Sequence, residues 1–132
     1  GMKERFFHIE FFKTKDDYIA IEYNNRPAGA FAVDVYNFAH STDYFRVYAE
    51  VANGTFNVLN ADEKYGLAST RRDYKEYVHS DEEIREKYQD KLKAVLRMPE
   101  AFAELQGNTM YVLVADTLEE MKEMERFVGK LK

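Results

Sequence analysis

Residues 44–60 read Tyr44-Phe45-Arg46-Val47-Tyr48-Ala49-Glu50-Val51-Ala52-Asn53-Gly54-Thr55-Phe56-Asn57-Val58-Leu59-Asn60, and how they fold decides the character of the first half of the chain. Asn53-Gly54 suits a type I′ turn, because both residues tolerate positive φ. On that reading, 44–52 and 55–60 form a hairpin in which Val51 faces Phe56 and Ala49 faces Val58. Alternating side chains then put one apolar face on a core.

A first hairpin is expected upstream. Residues 6–12 alternate, with Phe7, Ile9 and Phe11 on one face and Phe6, His8, Glu10 and Phe12 on the other. Residues 18–23 alternate again, and the polar connector Lys13-Thr14-Lys15-Asp16-Asp17 is short enough to join the two strands. Placing Phe12 opposite Tyr18 sets Phe11 against Ile19 and Ile9 against Ile21, which keeps the apolar faces together. Between the hairpins, Pro27 marks a helix start and Phe31, Val35 and Phe38 keep helical spacing, although Phe31, Val33 and Val35 also alternate. We read 28–40 as helix.

The second half reads mostly as helices. Ser80 with Glu83 three positions on forms a capping box, and Ile84, Tyr88, Leu92 and Val95 make a helical stripe reaching Met98. A shorter helix carrying Tyr74, Tyr77 and Val78 precedes it, and 60–69 reads as loop. After Pro99 a short helix runs through Glu104 to a stop at Gly107. Residues 109–115 are nearly all apolar, as a strand buried on both faces is. Asp116 and Thr117 then cap a last helix with Leu118, Met121, Met124, Val128 and Leu131 inward.

The fold class that follows is α+β: a mostly antiparallel sheet of two hairpins plus one strand from the C-terminal half, packed against three to five helices. With 132 residues and no linker rich in Pro, Gly or Ser, the chain reads as a single domain over 1–132. Gly1 before Met2 has the form of a tag-removal scar. No signal-peptide pattern follows it, and no apolar run approaches the roughly 20 residues that cross a bilayer. The expected location is cytoplasmic, with no membrane partner.

Composition removes several chemistries. The absence of cysteine excludes disulfides, thiolate-bound metals and a thiol nucleophile. The net charge of −5 opposes nucleic-acid binding. The densest basic segment, 71–97, holds eight Lys/Arg against seven Asp/Glu, which is a mixed surface and not a phosphate track. Six scattered glycines form no phosphate-binding loop, and neither a nucleophile elbow nor an H-E-x-x-H pair occurs. The chain offers no recognisable catalytic residue, metal site or cofactor motif, and it favours a non-enzyme.

Four groups of residues invite a functional reading. In the first hairpin His8 falls opposite Glu22 with Glu10 on the same face, which suits a general base, part of a His/carboxylate metal site that would need further ligands or, more ordinarily, a cross-strand charge pair. Asn37, His40 and Asp43 recur every third residue, although Ser41-Thr42-Asp43 reads as turn chemistry. Arg71-Arg72 is the tandem arginine, suited to an anion or to pairing with Asp73 and Glu76.

The fourth group is the aromatic one. Ten Tyr and ten Phe are many for this length. Phe6, Phe12 and Tyr18, with Tyr44 and Tyr48, fall on the sheet face opposite the expected core, beside Arg46, Glu10 and Glu50. Either helices cover that face too, or it meets a partner. The reading that uses most of these features is a small binding or regulatory module that self-associates through the aromatic face, with a second copy, another protein or a small molecule as partner. The alternative is a small-molecule binder or enzyme with a Tyr-lined pocket near His8, Glu10 and Glu22. The candidate binding residues are therefore His8, Glu10, Glu22, Tyr18, Tyr44, Arg46 and Tyr48.

Overall fold

Thr109–Ala115 is the strand on which the fold is built, and every residue from Met110 to Ala115 is buried. The structure, a computed structural model, describes residues 5–57 and 60–132. In chain order the elements are β1 (His8–Lys13), β2 (Tyr18–Asn24), α1 (Ala32–His40), α2 (Tyr44–Ala52) and β3 (Tyr65–Arg71). They continue as α3 (Asp81–Lys87), β4 (Leu92–Arg97), α4 (Glu100–Gln106), β5 (Thr109–Ala115) and α5 (Leu118–Gly129). The α+β class stands, with five helices and two antiparallel sheets: β1-β2, and β3-β5-β4 with β5 in the centre.

The apolar run of β5 is explained by cover on both faces. Tyr111, Leu113 and Ala115 pack with Ile84 and Tyr88 of the α3 region and with Met124 and Val128 of α5. On the other face Met110 and Val112 meet Val35 of α1 and Met98. α1 also lies close on β3, where a Cβ at Gly66 would sit 2.5 Å from Val35 Cγ1 and 3.3 Å from Ala39 Cβ. The capping box expected at Ser80 and Glu83 is present, Thr117 caps α5 by accepting from the Glu120 N–H, and Gly107 ends α4 at φ 85°.

The second hairpin is not formed. Tyr44–Ala52 is a helix, because its residues also fit a period of 3.6: Val47 is buried and the Asp43 side chain caps the first turn by accepting from Arg46 N–H at 3.0 Å. Arg46 and Glu50, one turn apart, pair at 2.6 Å. Asn53-Gly54 supplies its positive φ at a helix end instead of a hairpin turn, with Gly54 at φ 68°. The residues at 55–57 and at 60 are not strand, and Val58 and Leu59 lie outside the described residues, as do Gly1 and Met2.

Three further expectations are corrected. The long helix over 80–98 stops at Lys87, and Leu92–Arg97 is the strand β4. Ile84, Tyr88, Leu92 and Val95 do share one apolar cluster, but two of them reach it from a strand. The expected loop contains β3, whose small residues Gly66, Ala68 and Ser69 carry little strand signal; pairing along the whole of β5 holds it. The expected helix around Tyr74, Tyr77 and Val78 is turn and bridge, with Tyr77 paired to Leu131 and Val78 N–H donating to Lys130 O at 2.9 Å.

Tyr111 links the sheet to α3. Its hydroxyl donates to Asp81 Oδ1 at 2.5 Å. Burial first, and then the carboxylate it serves, push the phenol up to about 12. Burial pushes the Asp81 carboxyl up, but hydrogen bonds from Tyr111 and Arg85 and the charges of Arg85 and Arg71 outweigh it and leave it below its ordinary value. An unfolded tyrosine titrates near pH 10. A phenol whose folded pKa is the higher of the two contributes its full stability below pH ~10 and loses it as pH rises towards about 12. Urea midpoints measured across that window should fall more steeply for the wild type than for Tyr111→Phe. Parallel curves for the two proteins would refute the assignment.

Candidate functional site

The β1-β2 hairpin carries a single irregularity that decides which side chains meet. Lys13 pairs with Tyr18, Phe12 with Ile19 and Phe11 with Ala20; Ile21 is then an extra residue, and Glu10 pairs with Glu22, Ile9 with Tyr23 and His8 with Asn24. The expected register is therefore off by one residue near the turn and by two beyond the bulge. A bulge re-aims side chains in this way by placing two residues against one.

Its consequence is a sorted hairpin. Ile9 and Phe11, with Tyr23 and Tyr18, share one face, and Phe11 and Tyr18 meet edge to face at 6.3 Å. His8 and Glu10 share the other face with Glu22 and Asn24, with Phe12 and Ile19 nearer the turn. The apolar face is open. Ile9 is 37%, Phe11 50%, Tyr18 61% and Tyr23 49% exposed. Soluble surfaces rarely leave such a group uncovered unless it meets something else. No protein-family model, curated protein or solved structure matches this chain.

The other candidate residues separate into three places. His8 does not face Glu22; its Nε2 lies 3.6 Å from Glu10 on its own strand, and Glu22 accepts from the Asn24 amide. Arg46 is engaged with Glu50 on α2. Tyr44 and Tyr48 stand on α2, not on a sheet, and Phe6 packs edge to face against both, with centroids at 6.4 and 5.4 Å. Part of the expected aromatic group thus exists, but as a strand lead-in against a helix.

Where that lead-in meets the helices there is a cleft of about 270 Å³ among Phe6, His8, Val33, Tyr36, His40 and Tyr44. Tyr44 is its hub, with its ring edge to face with Tyr36 at 6.2 Å and His40 at 5.9 Å. Tyr36 is not among the residues to which the sequence points. The signal that finds it is a spacing of four, Tyr36, His40, Tyr44 and Tyr48, which persists across the break between α1 and α2.

The remaining motifs have structural employment. Asn37 Oδ1 accepts from Tyr44 N–H at 2.8 Å, and Asp43 caps α2, so these residues with His40 build the α1–α2 corner. Arg71 is buried, with Nε donating to Val128 O at 2.8 Å and Nη1 to His79 O at 2.7 Å. Arg72 closes the C-terminal end of α4 by donating to the carbonyls of Ala103 and Glu104. Among the described residues no group of three His, Asp or Glu is placed to hold a metal ion, and no helix is long and apolar enough to cross a membrane.

Proposed function

We propose that this protein is an interaction module that pairs with a second copy of itself through the apolar face of the β1-β2 hairpin. The observation that carries the proposal is the open group Ile9, Phe11, Tyr18 and Tyr23 on a two-stranded element. A lone two-stranded hairpin is at best marginally stable in water, so its burial has to come from outside it. The face carries one charge, Lys13, beside Tyr18 at the turn, and no carboxylate; Glu10 and Glu22 sit on the opposite face. With a net charge of −5, two copies repel at long range, and a face free of acids is where they can meet.

Self-pairing is favoured over a foreign partner by the mixture of Ile9 with three rings. Two such faces stacked about a two-fold axis set aliphatic against aromatic groups in both directions. The size of the contact sets its strength. Strands of six and seven residues, at ~3.4 Å per residue and ~5 Å apart, offer a few hundred Å² per copy. Stable dimers bury roughly 800 Å² per partner, so this pairing is weak and depends on concentration.

Sedimentation equilibrium from micromolar to millimolar protein should show a monomer–dimer equilibrium. Phe11→Glu and Tyr23→Glu should each weaken it about thirtyfold, as loss of a central aromatic anchor does. Tyr74→Glu, at an exposed turn elsewhere, should leave it unchanged. A wild type that stays monomeric throughout, or a Phe11→Glu protein that dimerises like the wild type, overturns the proposal.

A further inference from the structure

We infer that the cleft between the lead-in to β1 and helices α1 and α2 binds an uncharged aromatic compound of one or two rings that carries a hydrogen-bond donor, such as a phenol or an indole. The charge of the ligand follows from the walls. None of the described residues lining the cleft is Asp, Glu, Lys or Arg. A carboxylate, phosphate or ammonium entering it would lose water without gaining a counter-charge, which costs several kcal/mol. Size follows from the volume: about 270 Å³ lies just below the usual range of ligand pockets, roughly 300–1,000 Å³. Shape follows from the rings, since Phe6, Tyr36 and His40 all stand edge to face with Tyr44 and form flat walls for a flat guest.

The donor requirement comes from the two histidines. His40 Nδ1 lies 2.5 Å from the Asp62 carbonyl, which can only accept, so Nδ1 carries the proton and Nε2 of the neutral ring is an acceptor. In the neutral His8 ring the tautomer with its proton on Nε2, 3.6 Å from the Glu10 carboxylate, presents Nδ1 as the lone pair. That Nδ1 is buried and has no hydrogen-bond partner among the described residues. A buried acceptor left unpaired costs about 1–3 kcal/mol, and a guest O–H or N–H would recover it. This site is independent of the hairpin pairing, because Ile9, Phe11, Tyr18 and Tyr23 do not line it.

The experiment titrates the ¹⁵N-labelled full chain with phenol, indole, toluene, benzoate and benzylamine, following amide shifts. Phenol and indole should shift the amides of Tyr36, His40 and Tyr44 saturably, with benzoate and benzylamine at least about tenfold weaker. His8→Phe keeps a ring in place but removes the acceptor. It should weaken phenol about tenfold and leave toluene unaffected, with the spectrum itself reporting that the fold is kept. Absence of saturable shifts with phenol and indole overturns the site. Equal binding of the charged compounds overturns the ligand class, and unchanged phenol affinity in His8→Phe overturns the role of its Nδ1.

Discussion

Arg71→Met should lower the unfolding free energy by about 3 kcal/mol, a large share of what a domain of this size possesses. The guanidinium is buried at the end of β3 and is held by two carbonyls, Val128 at the end of α5 and His79 just before α3. It also lies over the Tyr77 ring at 4.5 Å and the Tyr111 ring at 5.5 Å. One side chain therefore ties the sheet to the last helix, to the 74–79 turn and to the entrance of α3. Methionine fills much of the same volume, so the loss is one of hydrogen bonds, not of space. A buried carbonyl at Val128 and a half-buried one at His79 lose charged donors, each worth about 1.5–3 kcal/mol.

An opposing effect has to be weighed. Replacing a buried ion pair by apolar groups is often neutral, because both charges are relieved of desolvation together. Here the partners are main-chain carbonyls, which stay behind, that of Val128 buried and that of His79 half-buried, so only the guanidinium's own desolvation is recovered. Arg71→Lys keeps the charge, but a single ammonium cannot reproduce the fork that reaches Val128 and His79 in different directions. It should lose about 2 kcal/mol. At this chain length the methionine variant should melt roughly 10 °C below the wild type by circular dichroism. A loss under about 0.5 kcal/mol in urea titrations of Arg71→Met would show that these bonds contribute nothing net.

How far the fold can be read from the sequence depends on where each signal originates. β5 and α5 are legible because an uninterrupted apolar run and a Thr117 cap are local features. Tyr44–Ala52 is misread because its residues satisfy both periods, and Asn53-Gly54 serves a helix end as readily as a hairpin turn. β3 is silent because Gly66 is set by the close approach of α1, and Ala68 and Ser69 add no strand propensity of their own. In the stripe from Ile84 to Val95, helix and strand residues reach the same cluster, so spacing alone cannot separate them. The candidate site shows the same division. The apolar character of the first hairpin is plain in the sequence, but a one-residue offset at the turn puts Tyr18 with Phe11, and the extra residue Ile21 then sets Tyr23 against Ile9 and Asn24, not Glu22, against His8. Bulges of this kind follow from pairing geometry, which no single residue announces.

Gly66→Ala should cost about 2 kcal/mol, although alanine in place of glycine ordinarily stabilises a chain by restricting its unfolded state. The reason is the approach of α1 to β3: the added methyl would lie 2.5 Å from Val35 Cγ1 and 3.3 Å from the Val35 carbonyl oxygen. Val35 is buried in the α1 cluster, and its branched side chain has little freedom to turn away. Helix α1 must then rise from the sheet and loosen the cover of Met110 and Val112. Val35→Ala alone should also cost about 2 kcal/mol, by leaving a cavity in the same place. The two changes exchange a methyl across one contact, so the double variant should lose about 2 kcal/mol and not the additive ~4. Chemical denaturation of the four proteins gives the coupling directly. If the two losses simply add, the methyl introduced by Gly66→Ala is met by a shift of α1 as a whole, and the steric register between Gly66 and Val35 does not set the height of the helix above the sheet.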